Sequence, residues 1–199
     1  MNARNTALAI LVASTLLSAC AAPRMDAPVN ENWQARRNVL AAITTWEFTG
    51  RIGVRDDQEA HSSRIRWQQH DDEYVINLWG TLNAGATEIT GSPTLVTLIQ
   101  EGKAPLLAAT PEGLVYEQLG YELPVTQLRY WIKGIPSPSS TGTPSFNEDN
   151  LLIALQQDGW SVQYMAYTNY DTESLPTRIR IEKAPLRLDF VRLDWTLQP

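Results

Sequence analysis

Trp46-Glu47-Phe48-Thr49-Gly50-Arg51-Ile52-Gly53-Val54-Arg55 decides the fold of this chain. Trp46, Phe48, Ile52 and Val54 fall on one parity, and Glu47, Thr49, Arg51 and Arg55 on the other. A period of two with charge on one face predicts a half-buried antiparallel strand. Asp56 to Ala60 is a polar turn. Ser63 to Gln69 then alternates again, with Ile65 and Trp67 opposite Arg64, Arg66 and Gln68. His70-Asp71-Asp72 turns the chain, and Tyr74, Ile76 and Leu78 give a third inward row. Three strands joined by short polar turns form a meander.

The pattern extends in both directions. Trp33 to Ile43 predicts a first helix, with Trp33, Leu40 and Ile43 on one face. Thr87 to Thr90 and Leu95 to Gln100 continue the sheet. Thr110-Pro111-Glu112 is a helix start, combining an N-cap threonine, proline in the first turn and an acid. That helix should end at Gly120. A third helix fits Val125 to Lys133, closed by Gly134 and Pro136. Ser137 to Pro144 reads as a loop. Leu151 to Gln157 and Trp160 to Tyr167 flank Asp158-Gly159, a two-residue hairpin signal. The last strands are Arg178 to Glu182 and Leu186 to Leu197. In the final strand the apolar parity switches from Leu186, Leu188 and Phe190 to Val191, Leu193 and Trp195, as a β-bulge requires. The sum is a mainly β domain: a curved antiparallel sheet of about ten strands, with about three helices against its concave face.

The N-terminus carries a different signal. Arg4 precedes a mostly apolar run from Ala7 to Leu17, followed by Ser18, Ala19 and Cys20. Small residues after a short apolar run mark a signal-peptide cleavage site. Cys20 is the only cysteine, so it has no disulfide partner within the chain. Leu17-Ser18-Ala19-Cys20 resembles the lipobox of bacterial lipoproteins; an ordinary secretory signal with a chance cysteine is the other reading. The expected organisation is a signal peptide over residues 1–19, a lipidated N-terminus and tether over 20–30, and one domain over 31–199. Two or more acyl chains on Cys20 would make a stable anchor. Ala21 in place of aspartate favours the outer membrane.

The net charge is −6, and loss of Arg4 with the signal takes it to −7. A chain this acidic lacks the bulk charge for nucleic acid or for anionic headgroups. Membrane contact beyond the anchor is therefore expected to be local and apolar. Catalytic patterns are absent from the sequence. His61 and His70 lie in or beside polar turns, and no zinc-binding His-Glu-x-x-His or Gly-x-Ser-x-Gly elbow occurs. Gly102-Lys103 lacks the glycine and the hydroxyl that a phosphate loop needs, since Thr97 and Ala104 stand there. No enzyme, cofactor or metal is expected; the chain should act by binding.

Two stretches narrow that binding role. Residues 74–89 read Tyr-Val-Ile-Asn-Leu-Trp-Gly-Thr-Leu-Asn-Ala-Gly-Ala-Thr-Glu-Ile, and Leu128 to Pro136 has the form Leu-x-x-Trp-x-x-Gly-x-Pro. With the lipobox, the Trp67-Gln68-Gln69 strand end and the late run Trp160-Ser161-Val162, Tyr170 and Leu175-Pro176, they resemble the outer-membrane lipoprotein receptor family LolB. The resemblance implies an incomplete antiparallel β-barrel with a helical lid over an apolar cavity. It implies a receptor that accepts lipoproteins from the periplasmic carrier LolA and inserts them into the outer membrane. It also implies that Leu82, with Trp79 beside it, forms a membrane-delivery loop. Thr81 stands where proline is common in the family, and Asn83 where glycine is common.

Physical chemistry supports such a task. Three acyl chains of about 15 methylenes carry a gross transfer cost of roughly 36 kcal/mol at about 0.8 per methylene. The inward rows supply candidates for the apolar surface that shields them: Trp46, Phe48, Ile52, Ile65, Trp67, Tyr74 and Ile76, joined by Trp131 from the third helix. Ordinary core packing is the competing role of each. A monomer is expected. The soluble carrier of the same pathway is a second reading, and the anchor at Cys20 argues against it. A structural or assembly lipoprotein that binds only protein partners is a third. Mass spectrometry of the mature protein should find Cys20 as an acylated N-terminal residue. A Cys20→Ala protein should leave the membrane fraction while still accepting cargo.

Overall fold

The computed structural model describes residues 31–80, 86–120, 122–170 and 173–197. Three helices and eleven strands run in the order α1 (Glu31–Ala42), β1 (Thr45–Arg55), β2 (Ala60–His70), β3 (Glu73–Trp79), β4 (Thr87–Gly91), β5 (Val96–Gln100), β6 (Leu106–Ala108), α2 (Pro111–Leu119), α3 (Val125–Trp131), β7 (Thr143–Phe146), β8 (Leu152–Gln157), β9 (Trp160–Tyr170), β10 (Glu173–Lys183) and β11 (Leu186–Leu197). One antiparallel sheet holds all the strands in the order β6-β5-β4-β3-β2-β1-β11-β10-β9-β8-β7. Every neighbouring pair but one is consecutive in sequence. The exception is β1 with β11, which joins two meanders at the middle of the sheet. β6 and β7 remain unpaired edges, so the sheet curls without closing.

The inward rows pack as the alternation predicts. Trp46, Phe48, Ile65, Trp67 and Ile76 are buried, as are Ile179 and Ile181 on β10 and Leu186, Leu188 and Phe190 on β11. The parity switch in β11 is a bulge. Thr49 pairs with Asp194 but Arg51 with Val191, so Arg192 and Leu193 oppose Gly50 alone. Arg192 takes a positive φ of 57° to accommodate it. The shift lets Leu193 and Trp195 resume the inward row that Phe190 left. Gly50 is the counterpart on β1: a Cβ there would lie 2.7 Å from Leu193 Cδ2 and 3.1 Å from the carbonyls of Val191 and Arg192.

Several boundaries differ from the sequence reading. Ile43 lies just past the end of α1, while Trp33 and Leu40 form its buried face. α3 stops at Trp131 instead of Lys133. The strand count is eleven because β6 and β7 are three- and four-residue edge strands, too short to show a period. Pro144 stands within β7, which an edge strand tolerates because it need not donate on both sides. Asp158-Gly159 forms the expected tight hairpin, with φ of 52° and 79° at its two residues.

Gly50→Ala should destabilise the protein by about 1–3 kcal/mol, because backbone carbonyls of the bulge cannot retreat as a flexible side chain would. Urea unfolding monitored by tryptophan fluorescence measures the loss. A variant as stable as the parent would show that the bulge can shift.

Candidate functional site

Two tryptophans and two glutamines brace the site. Trp67 Nε1 donates to Gln69 Oε1 at 3.1 Å, and Gln69 Nε2 donates to the carbonyls of Asp71 and Glu73. The glutamine thus satisfies a buried indole and clamps the β2–β3 turn at once. Trp131 Nε1 donates to Gln157 Oε1 at 2.7 Å, and Gln157 Nε2 donates to the carbonyls of Ser137 and Ser140. This second clamp ties α3 to β8 and to the segment leading into β7. Tyr164 adds a hydrogen bond from its hydroxyl to the Trp131 carbonyl at 2.8 Å, and its burial raises its pKa far above the ordinary value. The indole, amide and hydroxyl groups of these two clamps are all partnered, so these bonds specify geometry as well as contribute stability, whereas the buried Tyr74 hydroxyl has no partner among the described residues.

Lys133 anchors the other end of α3. It is only 4% exposed, and its Nζ donates to the carbonyls of Leu40 and Ile43 at 2.9 and 2.7 Å. The carbonyls at the C-terminal end of α1 have no partners within the helix, and a lysine is a natural cap for them. Burial, with Arg129 adding to it, lowers the Lys133 pKa to about 8. Arg129 in turn donates to Asp72 at 2.7 Å, fixing α3 to the β2–β3 turn.

Between the concave face and the helices lies an apolar cavity of about 390 Å³. Ile52, Ile65, Trp67, Tyr74 and Ile76 line it from β1, β2 and β3, and Leu186, Leu188 and Phe190 from β11. α2 contributes Leu114 and Val115, and α3 contributes Val125 and Leu128. The Tyr74 ring lies over its cross-strand partner Gly91, where any Cβ would collide with it. Burial, with Glu112 adding to it, pushes the Tyr74 pKa up to about 12, so the wall carries no charge there at neutral pH.

The eight residues that sequence reasoning put forward for the cavity thus divide. Five line it. Trp46, Phe48 and Trp131 do not. Trp46 stacks on Phe48, and both meet Trp67 and Trp195 in tilted ring contacts, at centroid distances of 5.0–6.0 Å, filling the concave face where β1 begins. Trp131 packs against Trp160 at 6.2 Å and is fully buried. Sequence reasoning missed Leu186, Leu188 and Phe190, although their alternation places them on the same inner face as Ile52. Trp79 ends β3 and is 37% exposed. Cys20 and Leu82 lie outside the described residues. His61 and His70 are both exposed, and among the described residues no group of His, Cys, Asp and Glu is arranged to hold a metal. No described helix is long and apolar enough to cross a membrane.

Residues 44–195, which contain both clamps and the whole cavity, match the family described as "Outer membrane lipoprotein LolB". The chain belongs to the LolB family. It is 38% identical over 185 residues to the outer-membrane lipoprotein LolB of Stutzerimonas stutzeri strain A1501, covering 90% of each chain. It is 37% identical over 195 residues to that of Cellvibrio japonicus strain Ueda107, covering 96% of this chain and 95% of the relative. Among solved structures, a LolA superfamily protein from Nitrosomonas europaea shares the fold with a TM-score of 0.55 at 10% identity, over 83% of this chain and 93% of that one. Membership in the LolB family makes this chain an outer-membrane lipoprotein of lipoprotein localisation and not an enzyme.

Lys133 gives this architecture a pH dependence whose sign is fixed. Its folded pKa of about 8 lies below the ordinary 10.5. Below pH 8 the folded state bears the full cost of a buried ammonium. Between about pH 8 and 10.5 the unfolded chain binds the proton and the folded one does not, so stability rises with pH. Measured against Lys133→Met, which cancels the other groups, the parent should gain stability from pH 7 to pH 9.5. A difference independent of pH would mean that the two carbonyls keep the ammonium charged.

Proposed function

We propose that this chain is a receptor that accepts lipoproteins from the carrier LolA, holds their acyl chains beneath α2 and α3, and releases them into the outer membrane. The observation that carries the reading is an apolar cavity roofed by a weakly held helix, in a chain of the LolB family. The roof is α2. Among its described side chains only Leu114 is buried, and it packs with Val96 and Leu98 in a cluster separate from the main core, while the Thr126 amide donates to Glu112 and links α2 to α3. α3, by contrast, enters the main core through Leu128 and Trp131 and is tied down by Gln157 and Lys133.

Magnitudes support a moving roof. A volume near 390 Å³ is at the low end for drug-sized ligands, too small for three long acyl chains. Exposing Leu114 costs about 1.5–3 kcal/mol. Four methylenes entering the cavity recover about as much, at roughly 0.8 each. Cargo can therefore displace α2 without an external energy source, while α3 and the clamps stay in place. Transfer then runs from lower to higher affinity, with the bilayer as the final acceptor.

Cys20 serves in this reading as the lipid anchor, and Leu82 with Trp79 as the element that meets the bilayer. Incubating the protein with a LolA–lipoprotein complex tests the proposal. Lipoprotein should appear on this chain, then in added liposomes. A protein that never acquires cargo would belong instead to the class of lipoproteins that bind only protein partners. Leu82→Glu should leave folding and acceptance intact while release into liposomes fails. Delivery at the parental rate by that variant would remove the loop from the mechanism.

A further inference from the structure

The sheet register assembles a basic stripe that net charge conceals. On the convex face, Trp79 pairs with Arg64, Arg64 with Arg51, Arg51 with Val191, and Val191 with Arg178. One line across five adjacent strands thus reads Trp, Arg, Arg, Val, Arg. Arg192, pushed out by the bulge, stands next to it. Arg51, Arg64, Arg178 and Arg192 are exposed, and none of them is ion-paired among the described residues. Of the other arginines of this face, Arg66 is matched with Glu47, and Arg180 and Arg187 with Asp189, whereas Arg55 at the end of β1 is exposed with no ion pair among the described residues. Glu88, which accepts from Asn77, and Asp194 are the carboxylates of the adjoining row. Arginine still outnumbers carboxylate across these rows, in a chain of net charge −6.

We propose that this stripe docks the convex face of the domain onto anionic phosphate headgroups of the bilayer. The inference rests on the delivery reading above and specifies which face meets the membrane. Three observations select a bilayer over an acidic protein. Trp79, exposed at the end of the row, is the residue type that settles at headgroup level. The same strand end leads directly into the loop that carries Leu82. Eleven residues separate the start of the tether at Cys20 from the folded domain, a contour of at most about 40 Å at roughly 3.3–3.6 Å per residue, which keeps the stripe close to its surface. Near an anionic surface each arginine contributes about fivefold in affinity, so four suffice once the anchor has fixed the distance.

The chain's single cysteine is the acylation candidate, so an introduced cysteine offers a unique free thiol. Thr49→Cys reports on the stripe and Tyr116→Cys, on exposed α2, serves as reference. The anchored, full-length protein is reconstituted in phosphatidylcholine vesicles with or without phosphatidylglycerol and labelled with a charged maleimide. Labelling at Thr49→Cys should slow about fivefold or more on the anionic vesicles, and recover at about 1 M salt, where the screening length falls to about 3 Å. Tyr116→Cys should not change. Replacing Arg51, Arg64 and Arg178 together by Gln should abolish the slowing, and replacing them by Lys should preserve it. Equal labelling on both vesicles overturns the proposal even if delivery still depends on Leu82. Slowing that requires an added acidic protein, and not lipid charge, also overturns it and assigns the stripe to that partner.

Discussion

The pairing of β1 with β11 is the interaction on which the remainder of the molecule depends. It joins residues near the start of the folded domain to its final strand, from Trp46 opposite Leu197 to Arg55 opposite Arg187. Without it there are two separate meanders, each with an additional bare edge. With it, Trp46, Phe48, Trp67 and Trp195 converge into one aromatic cluster that spans the junction. The bulge opposite Gly50 bends this junction, and the bend makes one face concave. The cavity is a by-product of that curvature: the inner face is filled at one end of β1 by rings and left open at the other.

That gradient along a single strand explains what the sequence revealed and what it concealed. Alternation identified the face on which Trp46, Phe48 and Ile52 lie, and the parity switch after Phe190 located the bulge. Period two says nothing about depth along the face, so Trp46 in the packed end and Ile52 in the open end look alike. Trp131 shares a helix face with Leu128, yet only Leu128 reaches the cavity, because α3 crosses the boundary between core and void. β6 and β7 were invisible for a different reason: three or four residues cannot establish a period. The basic stripe was hidden because net charge discards position. The expectation that membrane contact beyond the anchor is only apolar followed from the sum, whereas the register aligns Arg64, Arg51 and Arg178 on neighbouring strands.

The short family motifs acquire physical meaning in this setting. The glutamine two residues after Trp67 accepts from its indole and holds the turn that follows. In Leu128-x-x-Trp131-x-x-Gly134-x-Pro136, the tryptophan engages Gln157 and the glycine takes a φ of 80° against Tyr167 and Pro176. These residues fasten α3, whereas α2 buries Leu114 in a small satellite cluster and is tied to α3 by the Thr126 amide donating to Glu112. Rigidity and looseness are thus assigned to adjacent helices by a handful of side chains.

The placement of β11 also has a consequence for biogenesis. An exported chain crosses the inner membrane from its N-terminus, so β1 emerges early and its partner emerges last. Until Leu186 to Leu197 has been released, the aromatic cluster lacks Trp195, and the central strand of the future sheet presents an open edge. Such non-local pairing folds slowly and exposes sticky intermediates. The protein therefore stays unfinished until translocation is complete.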